Sequence, residues 1–221
     1  MLVGSSGRRQ QGKTTLAVHI ADNVDRRFFL DPRQLIRRPG AVVVRSGAAL
    51  HRVMPQLADG ELSEVVYSPT EQNLSDAFDA FARELRAWTV DHPDIELAAL
   101  VDEASFYGKL EESEAFMYAV KCCDPEQLHI LLTCHRPSDL HPDVRALLNR
   151  WCIFRTTQEH DIDVIRKRCK GDVVDQVQQL GEREFIEWND DDGTYDVHRH
   201  PYIWYTELSL PGADRSILVV Q

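Results

Sequence analysis

The chain has 221 residues and a formal net charge of −11 at pH 7, and 43% of its residues are hydrophobic and 28% charged. This composition suits a globular protein with a sizeable core and excludes an intrinsically disordered chain. No apolar run approaches the roughly 20 residues of a membrane-spanning helix, no signal-peptide core stands near the start, and the acidic balance argues against tight DNA binding by a monomer.

Apolar runs and amphipathic segments alternate along the chain. In chain order they predict an apolar lead at 1–3, a helix at 14–24, a partly looped, arginine-rich stretch at 25–40, strands at 41–45 and 64–67, a helix at 74–90, a strand at 95–101, a helix at 113–123, a strand at 128–133, a helix at 143–150, a strand at 151–155, helices at 161–170 and 172–180, and strands at 184–188 and 194–198. Alternation of this kind predicts an α/β fold with a mainly parallel central sheet flanked by helices. The last two strands flank an Asp-Asp-Asp-Gly turn, which predicts a C-terminal β-hairpin. We expect a single domain over 1–221, with a core over about 1–200 and a tail over about 201–221.

A complete phosphate-binding motif follows the apolar lead. Its residues, with the next threonine, are Gly7, Arg8, Arg9, Gln10, Gln11, Gly12, Lys13, Thr14 and Thr15, which fit G-x-x-x-x-G-K-[ST]. In such a P-loop, backbone N–H groups and the positive end of the following helix surround phosphates. The lysine reaches the β- and γ-phosphates, and the hydroxyl after it binds magnesium. The sequence therefore predicts a site for ATP and Mg²⁺, with Lys13 also acting in catalysis.

Two acidic residues end the apolar run at 95–101. A P-loop site needs a carboxylate at the end of a neighbouring buried strand to hold magnesium, and Asp102 is placed to supply it. Glu103 is placed to polarise an attacking water, which favours a hydrolase over a simple binding protein. No N-K-x-D segment supports guanine specificity, and no L-S-G-G-Q segment supports a transporter ATPase. A small-molecule kinase is retained as an alternative.

Three later segments carry a resemblance. Residues 131–139 read LLTCHRPSD after a buried strand, residues 147–155 read LLNRWCIFR, and residues 180–185 read LGEREF before the hairpin. Together with the P-loop and the Asp-Glu strand, they resemble the FtsK/HerA superfamily of P-loop ATPases. The resemblance implies a RecA/FtsK-like P-loop NTPase fold. In that family a glutamine that senses the γ-phosphate stands where this chain has His135, so the resemblance implies a sensor role for this histidine.

With little chain before the P-loop, the sequence is similar to the small genome-packaging ATPases of internal-membrane, double-jelly-roll viruses. The resemblance implies a homo-oligomeric ring, a pentamer or hexamer, around double-stranded DNA, in the host cytoplasm or at the packaging vertex of the virion, with a vertex or membrane-associated partner. It also implies an arginine that completes the neighbouring subunit's site. Arg150 is the first candidate, followed by Arg136, Arg145 and Arg155.

The DNA-contacting residues follow less directly from the sequence. Residues 1–60 carry nine arginines and one lysine against four acidic residues, so a basic face is compatible with an acidic chain. Two clusters are candidates: the segment 104–112 with Lys109, and a group formed by Arg33, Arg37 and Arg38. The alternative to DNA packaging is a related ATPase that drives phage assembly, export or conjugative DNA transfer at a membrane.

Overall fold

A computed structural model describes residues 1–7, 12–70, 74–122, 126–199 and 218–220. Its strands are β1 Leu2–Ser6, β2 Arg27–Leu30, β3 Val42–Val44, β4 Glu64–Tyr67, β5 Leu97–Val101, β6 Leu128–Cys134, β7 Arg150–Phe154, β8 Glu184–Asn189, β9 Thr194–Arg199 and β10 Leu218–Val220. Its α-helices are α1 Lys13–Ala21, α2 Gly47–Asp59, α3 Leu74–Asp91, α4 Glu114–Cys122, α5 Pro142–Ala146, α6 Glu159–Arg168 and α7 Val173–Gln179. Apart from β10, the tail predicted at 201–221 lies outside the described residues.

All the described strands form one sheet, in the order β10-β3-β4-β2-β5-β6-β1-β7-β8-β9. The strands from β10 to β7 are parallel, whereas β8 and β9 form the antiparallel hairpin that the sequence predicts. The parallel register aligns the carboxyl ends of the central strands: Ser6 lies opposite Cys134, and Leu30 lies opposite Val101. The polar residues that follow these strands therefore meet at one edge of the sheet, as ligand-binding residues do in open α/β sheets.

Helices cover both faces of the sheet, and each face has its own apolar core. Helix α1 packs Leu16 and Ala17 on one face, together with Phe29 of β2. The other face carries the larger cluster, to which α2, α3, α4, α6 and α7 contribute, and Phe28 of β2 packs there. Both faces of the central strands are thus buried, which explains why these strands are almost wholly apolar. No helix in the described ranges is both long and apolar enough to span a membrane.

The structure departs from the predicted elements in three places. Strand β2 lies inside the arginine-rich stretch that the sequence predicts as partly loop, and it is a central strand between β4 and β5. Helix α2 is not among the predicted elements. The helix predicted at 143–150 ends at Ala146, and Arg150 begins β7 instead. A short 3-10 turn at Ala104–Tyr107 and another at Leu110–Glu112 follow β5, in the segment 104–112 that is a candidate for DNA contact.

Candidate nucleotide-binding and catalytic site

The amino end of α1 lies at the carboxyl edge of the sheet, where a P-loop requires it. Gly7 follows β1, and Gly12 precedes α1 with φ of 93°, a left-handed conformation that favours glycine. Thr15 is half-buried in the first turn of α1. The predicted phosphate contacts of Arg8, Arg9, Gln10 and Gln11 lie outside the described residues.

Lys13 is the first residue of α1, and only 5% of it is exposed. Burial lowers the pKa of its ammonium group, while the nearby Glu103, Cys134 and Asp102 oppose that shift. A buried cation at the amino end of a helix suits an anionic ligand, because both the ammonium group and the helix end attract a phosphate.

Asp102 and two threonines form a buried hydrogen-bond cluster at the ends of β5, β6 and α1. The hydroxyls of Thr14 and Thr133 each donate to Oδ1 of Asp102 over 2.7 Å. Oδ2 of Asp102 is buried and accepts no hydrogen bond from the described residues. Burial raises the pKa of Asp102 to about 6, although the two threonine hydrogen bonds act against the rise. The Thr14 hydroxyl and the Asp102 carboxylate, whose Oδ2 accepts no hydrogen bond from the described residues, are a set of oxygen donors that fits magnesium, because magnesium prefers oxygen ligands.

Glu103 has an unusual backbone and a nearly buried side chain. Its φ of 52° is left-handed, a conformation that costs energy for a residue other than glycine. The backbone N–H of Glu103 donates a hydrogen bond to the hydroxyl of Thr133 over 2.8 Å. Because the same hydroxyl donates to Asp102, Thr133 orients both Asp102 and Glu103. Oε2 of Glu103 lies 3.1 Å from Nε2 of His135, and the two form an ion pair only when the imidazole is protonated. This oxygen is buried and, within the described residues, accepts no hydrogen bond.

The loop after β2 brings a second cation to Glu103. Nη1 of Arg33 donates to Oε1 of Glu103 over 3.2 Å. The loop is organised by Asp31, which is fully buried and accepts backbone N–H bonds from Arg33 over 3.2 Å and from Ile36 over 2.6 Å. Burial raises the pKa of Asp31, and these backbone bonds act against the rise.

Within its own subunit, the arginine predicted to act on the neighbouring subunit lies away from this site. Arg150 begins β7, at the amino edge of the sheet and therefore opposite the P-loop, and it donates to Glu187 over 2.9 Å. Arg155 follows β7 at the carboxyl edge, on the P-loop side. Arg136 follows β6 at the same edge, whereas Nη1 of Arg145 donates to the carbonyl of Pro137 over 3.1 Å. Within one subunit, Arg155 and Arg136 are thus nearer the phosphate edge than Arg150.

Two residues of the site, Asp31 and Thr133, have no individual role in the sequence prediction, and Arg33 is predicted there only as a DNA-contact candidate. Thr133 was part of the segment that carried the resemblance, and its position at a strand end was its signal. Asp31 and Arg33 follow β2, and their signal was an Asp-Pro turn directly after a short apolar run.

Comparisons with known proteins bear on the fold. No protein-family model matches the sequence, and no curated protein matches it significantly. Among solved structures, the fold is similar to that of the genome packaging NTPase B204 from Sulfolobus turreted icosahedral virus 2, solved in complex with sulfate and with ATP-gammaS. The TM-score is 0.71 at 17% identity, over 90% of this chain and 95% or 96% of B204. It is also similar to VirB4 of Thermoanaerobacter pseudethanolicus, with a TM-score of 0.60 at 10% identity, over 93% of this chain and 90% of VirB4. The chain therefore has the P-loop ATPase fold that its resemblance to the FtsK/HerA superfamily implies.

Proposed function

We propose that this protein hydrolyses ATP and uses the reaction to translocate double-stranded DNA as a viral genome-packaging ATPase. The observation that carries the proposal is the arrangement at the carboxyl edge of the sheet, where Lys13, Thr14, Asp102 and Glu103 converge beside the P-loop. The similarity to B204 over nearly the full length of both chains supports the packaging role.

Each side chain has a defined part in the proposed reaction. Lys13 and the amino end of α1 bind the phosphates, while Thr14 and Asp102 hold magnesium. Bound Mg²⁺ would neutralise charge on the β- and γ-phosphates. Glu103 accepts a proton from water through Oε2 as the water oxygen bonds to the γ-phosphorus. The bond from that phosphorus to the β–γ bridging oxygen breaks, and the products are ADP and phosphate.

The proposal also includes the oligomeric state of the protein and its location. A pentameric or hexameric ring around the DNA, in the host cytoplasm or at the virion's packaging vertex, would place the subunits where each can contact the duplex. An arginine from the adjacent subunit would complete each site, and the position of Arg155 and Arg136 at the phosphate edge supports testing them before Arg150. A vertex or membrane-associated protein would anchor the ring.

A second candidate is supported by the similarity to VirB4, which also extends over most of both chains. On this alternative the same ATP site drives export, assembly or conjugative transfer at a membrane. The two candidates differ in whether linear double-stranded DNA stimulates hydrolysis by the isolated protein.

The test measures ATP hydrolysis with and without linear double-stranded DNA, on protein whose oligomeric state is determined in parallel. We expect DNA to stimulate the wild-type protein. Lys13→Ala should lose nucleotide binding, whereas Glu103→Gln should bind ATP but turn over roughly 100-fold more slowly or worse, because the amide cannot accept the proton. Normal turnover by Lys13→Ala would refute the ATP site. An oligomer whose ATP hydrolysis is not stimulated by DNA would favour the export alternative. Transfer of phosphate from ATP to a small acceptor molecule would favour a kinase.

A further inference from the structure

Asp161 is a buried carboxylic acid to which the ATP site gives no role. It lies in the first turn of α6, and only 2% of it is exposed. Its hydrogen-bond partners in the described residues come from Ser138 and Thr156. Oδ1 accepts from the Ser138 hydroxyl over 2.8 Å and from the Ser138 N–H over 3.4 Å, and Oδ2 accepts from the Thr156 hydroxyl over 3.4 Å. Each carboxylate oxygen therefore holds a different segment of the chain.

These partners are all neutral, whereas a buried carboxylate is usually paired with a cation. A buried charge held by neutral groups is a costly arrangement if stability alone is considered. Its main effect is on geometry, because a satisfied polar network makes the surrounding structure rigid and specific. The segments that Asp161 makes rigid are those next to Ser138 and Thr156.

Both partners stand beside arginines at the carboxyl edge of the sheet. Arg136 follows β6 and lies two residues before Ser138, and Arg155 follows β7 and lies one residue before Thr156. Strands β6 and β7 are not neighbours, because β1, which leads into the P-loop, lies between them. Asp161 therefore connects two arginine-bearing segments across the strand that enters the P-loop.

The backbone of Arg136 is fixed, although its side chain is exposed. Its N–H donates to Oδ2 of Asp139 over 2.9 Å, and its carbonyl accepts from the Asp139 N–H over 3.1 Å and from Sγ of Cys134 over 3.2 Å. Ser138 lies in the same 3-10 turn, so its bond to Asp161 attaches the whole turn to α6. An exposed guanidinium on an anchored backbone suits a contact with another molecule, because less conformational freedom is lost on binding.

We propose that Asp161 is a positioning residue that holds Arg136, and through Thr156 also Arg155, where an arginine can reach the ATP bound by the neighbouring subunit. This role rests on the proposed ATPase ring, and it names the group within one subunit that sets an arginine for the next. The bond to Ser138 is shorter than the bond to Thr156, so Arg136 should depend on Asp161 more strongly. Loss of Asp161 then slows hydrolysis by the assembled oligomer and leaves nucleotide binding by the monomer unchanged.

The first test compares Asp161→Asn with Asp163→Asn. Asparagine keeps the shape of Asp161 but replaces one acceptor by a donor, so it cannot hold both segments. We expect turnover by the oligomer to fall about 10- to 100-fold, because small misplacements of a catalytic group cost this much. Calorimetry should find the affinity of the monomer for a non-hydrolysable ATP analogue within about 2-fold of wild type. Asp163→Asn, the matched control in the same helix, removes only a surface pair with Arg166 and should turn over normally.

A mixing experiment separates positioning for a neighbour from a structural role. Asp161→Asn subunits keep an intact ATP site and misplace their own arginine, whereas Glu103→Gln subunits have an inactive site and a well-placed arginine. Mixed oligomers should hydrolyse ATP faster than either variant alone, because an Asp161→Asn site beside a Glu103→Gln subunit receives a correctly held arginine. Damage to the fold or to the subunit's own site is not rescued in this way, so no rescue at any mixing ratio would overturn the proposal.

Ser138→Ala keeps Asp161 and removes one partner, which provides the test if Asp161→Asn does not fold. It should lower turnover by itself but add little to the loss in Arg136→Ala, because both changes act through the same arginine. Additive losses would overturn the proposal, as would normal turnover by both Arg136→Ala and Arg155→Ala. If the wild-type oligomer hydrolyses ATP and Asp161→Asn matches it, this positioning role alone is refuted. If the wild type neither assembles nor hydrolyses ATP, the proposed function fails and the positioning role fails with it.

Discussion

Asp102 is a buried carboxylic acid whose protonation is coupled to folding. Burial raises its pKa from the ordinary 3.8 to about 6, so between these values the folded protein binds a proton that the unfolded chain has lost. The resulting stabilisation is complete below about pH 4 and is lost as the pH rises through 6. Burial raises the pKa of Asp31 and Glu64 as well, so all three acids make the metal-free protein less stable as the pH rises.

Asp102→Asn isolates the contribution of this one group. The amide does not ionise, so the free energy of unfolding of the variant, relative to wild type, should rise by up to about 3 kcal/mol between pH 4 and pH 7. Urea unfolding at a series of pH values, without magnesium, measures this difference. Lost hydrogen bonds add a constant offset, so the slope with pH is the informative quantity. A flat difference would show that Asp102 ionises with an ordinary pKa.

The sequence predicts Asp102 and Glu103 as site residues, but it does not predict that Arg33 contacts Glu103. Asp102 and Glu103 end an apolar strand, and that pattern is local, so it is readable without knowing which strands are neighbours. Arg33 and Glu103 are 70 residues apart and meet only because β2 pairs with β5. The order of strands in the sheet is a non-local property, so the spacing of residues along the sequence does not predict which strands are neighbours.

Strand β2 is the element whose misassignment had the largest consequence for the site. Its four residues are flanked by Arg26 and the Asp-Pro turn, and so short an apolar run in a basic stretch resembles a loop. Helix α2 was missed for a different reason, since Pro55 lies inside it and proline normally breaks helices. Ser46, whose side chain accepts the Ala49 N–H, and Gly60 with φ of 80° are ordinary end signals that mark the helix despite that proline.

Phe28 is the residue on which the central position of β2 can be tested. It is completely buried, and its ring packs 4.2 Å from that of Phe81 of α3. Phe28→Ala should lower the free energy of unfolding by about 3 to 5 kcal/mol, because it removes a large side chain from a packed core. Denaturant unfolding measures the loss. Val90→Ala, at a site 57% exposed in α3, is the control and should change stability by less than about 0.5 kcal/mol. A small loss for Phe28→Ala would indicate that β2 is a peripheral strand.

On the scale of the whole molecule, the basic excess of the first 60 residues is partly neutralised within the fold. Arg27 and Arg38 both pair with the buried Glu64, over 2.9 and 3.2 Å, and Arg38 also contacts Asp22 over 2.6 Å. Arg33 is engaged with Glu103. In the predicted DNA-contacting group of Arg33, Arg37 and Arg38, the exposed Arg37 is therefore the residue best suited to a test, since replacing Arg38 would leave a buried carboxylate poorly paired.

Lys109 is the other predicted DNA contact, and the structure makes it accessible. It lies between the two 3-10 turns after Glu103, where movement of that residue can be transmitted along the backbone. Its side chain is 68% exposed and pairs with Glu112, which is also exposed, so a change at this position should not disturb the core. These properties suit a contact to DNA phosphates that varies with the nucleotide state.

The DNA contact is tested by reversing charge at these two positions separately. We expect weak DNA binding by the monomer and ATP-dependent binding by the oligomer, because a ring adds several phosphate contacts at once. Binding should be insensitive to DNA sequence and weaken steeply with salt, as backbone contacts do. Lys109→Glu should abolish DNA stimulation while basal hydrolysis continues, and Arg37→Glu tests the other surface. Lys121→Glu, the same charge change at an exposed position of α4, should leave DNA stimulation intact.

If Lys109→Glu and Arg37→Glu are both stimulated by DNA like the wild type, neither surface contacts DNA. If the assembled wild type neither binds DNA at low salt nor responds to it, the packaging role is replaced by the export alternative, while the ATP site stands.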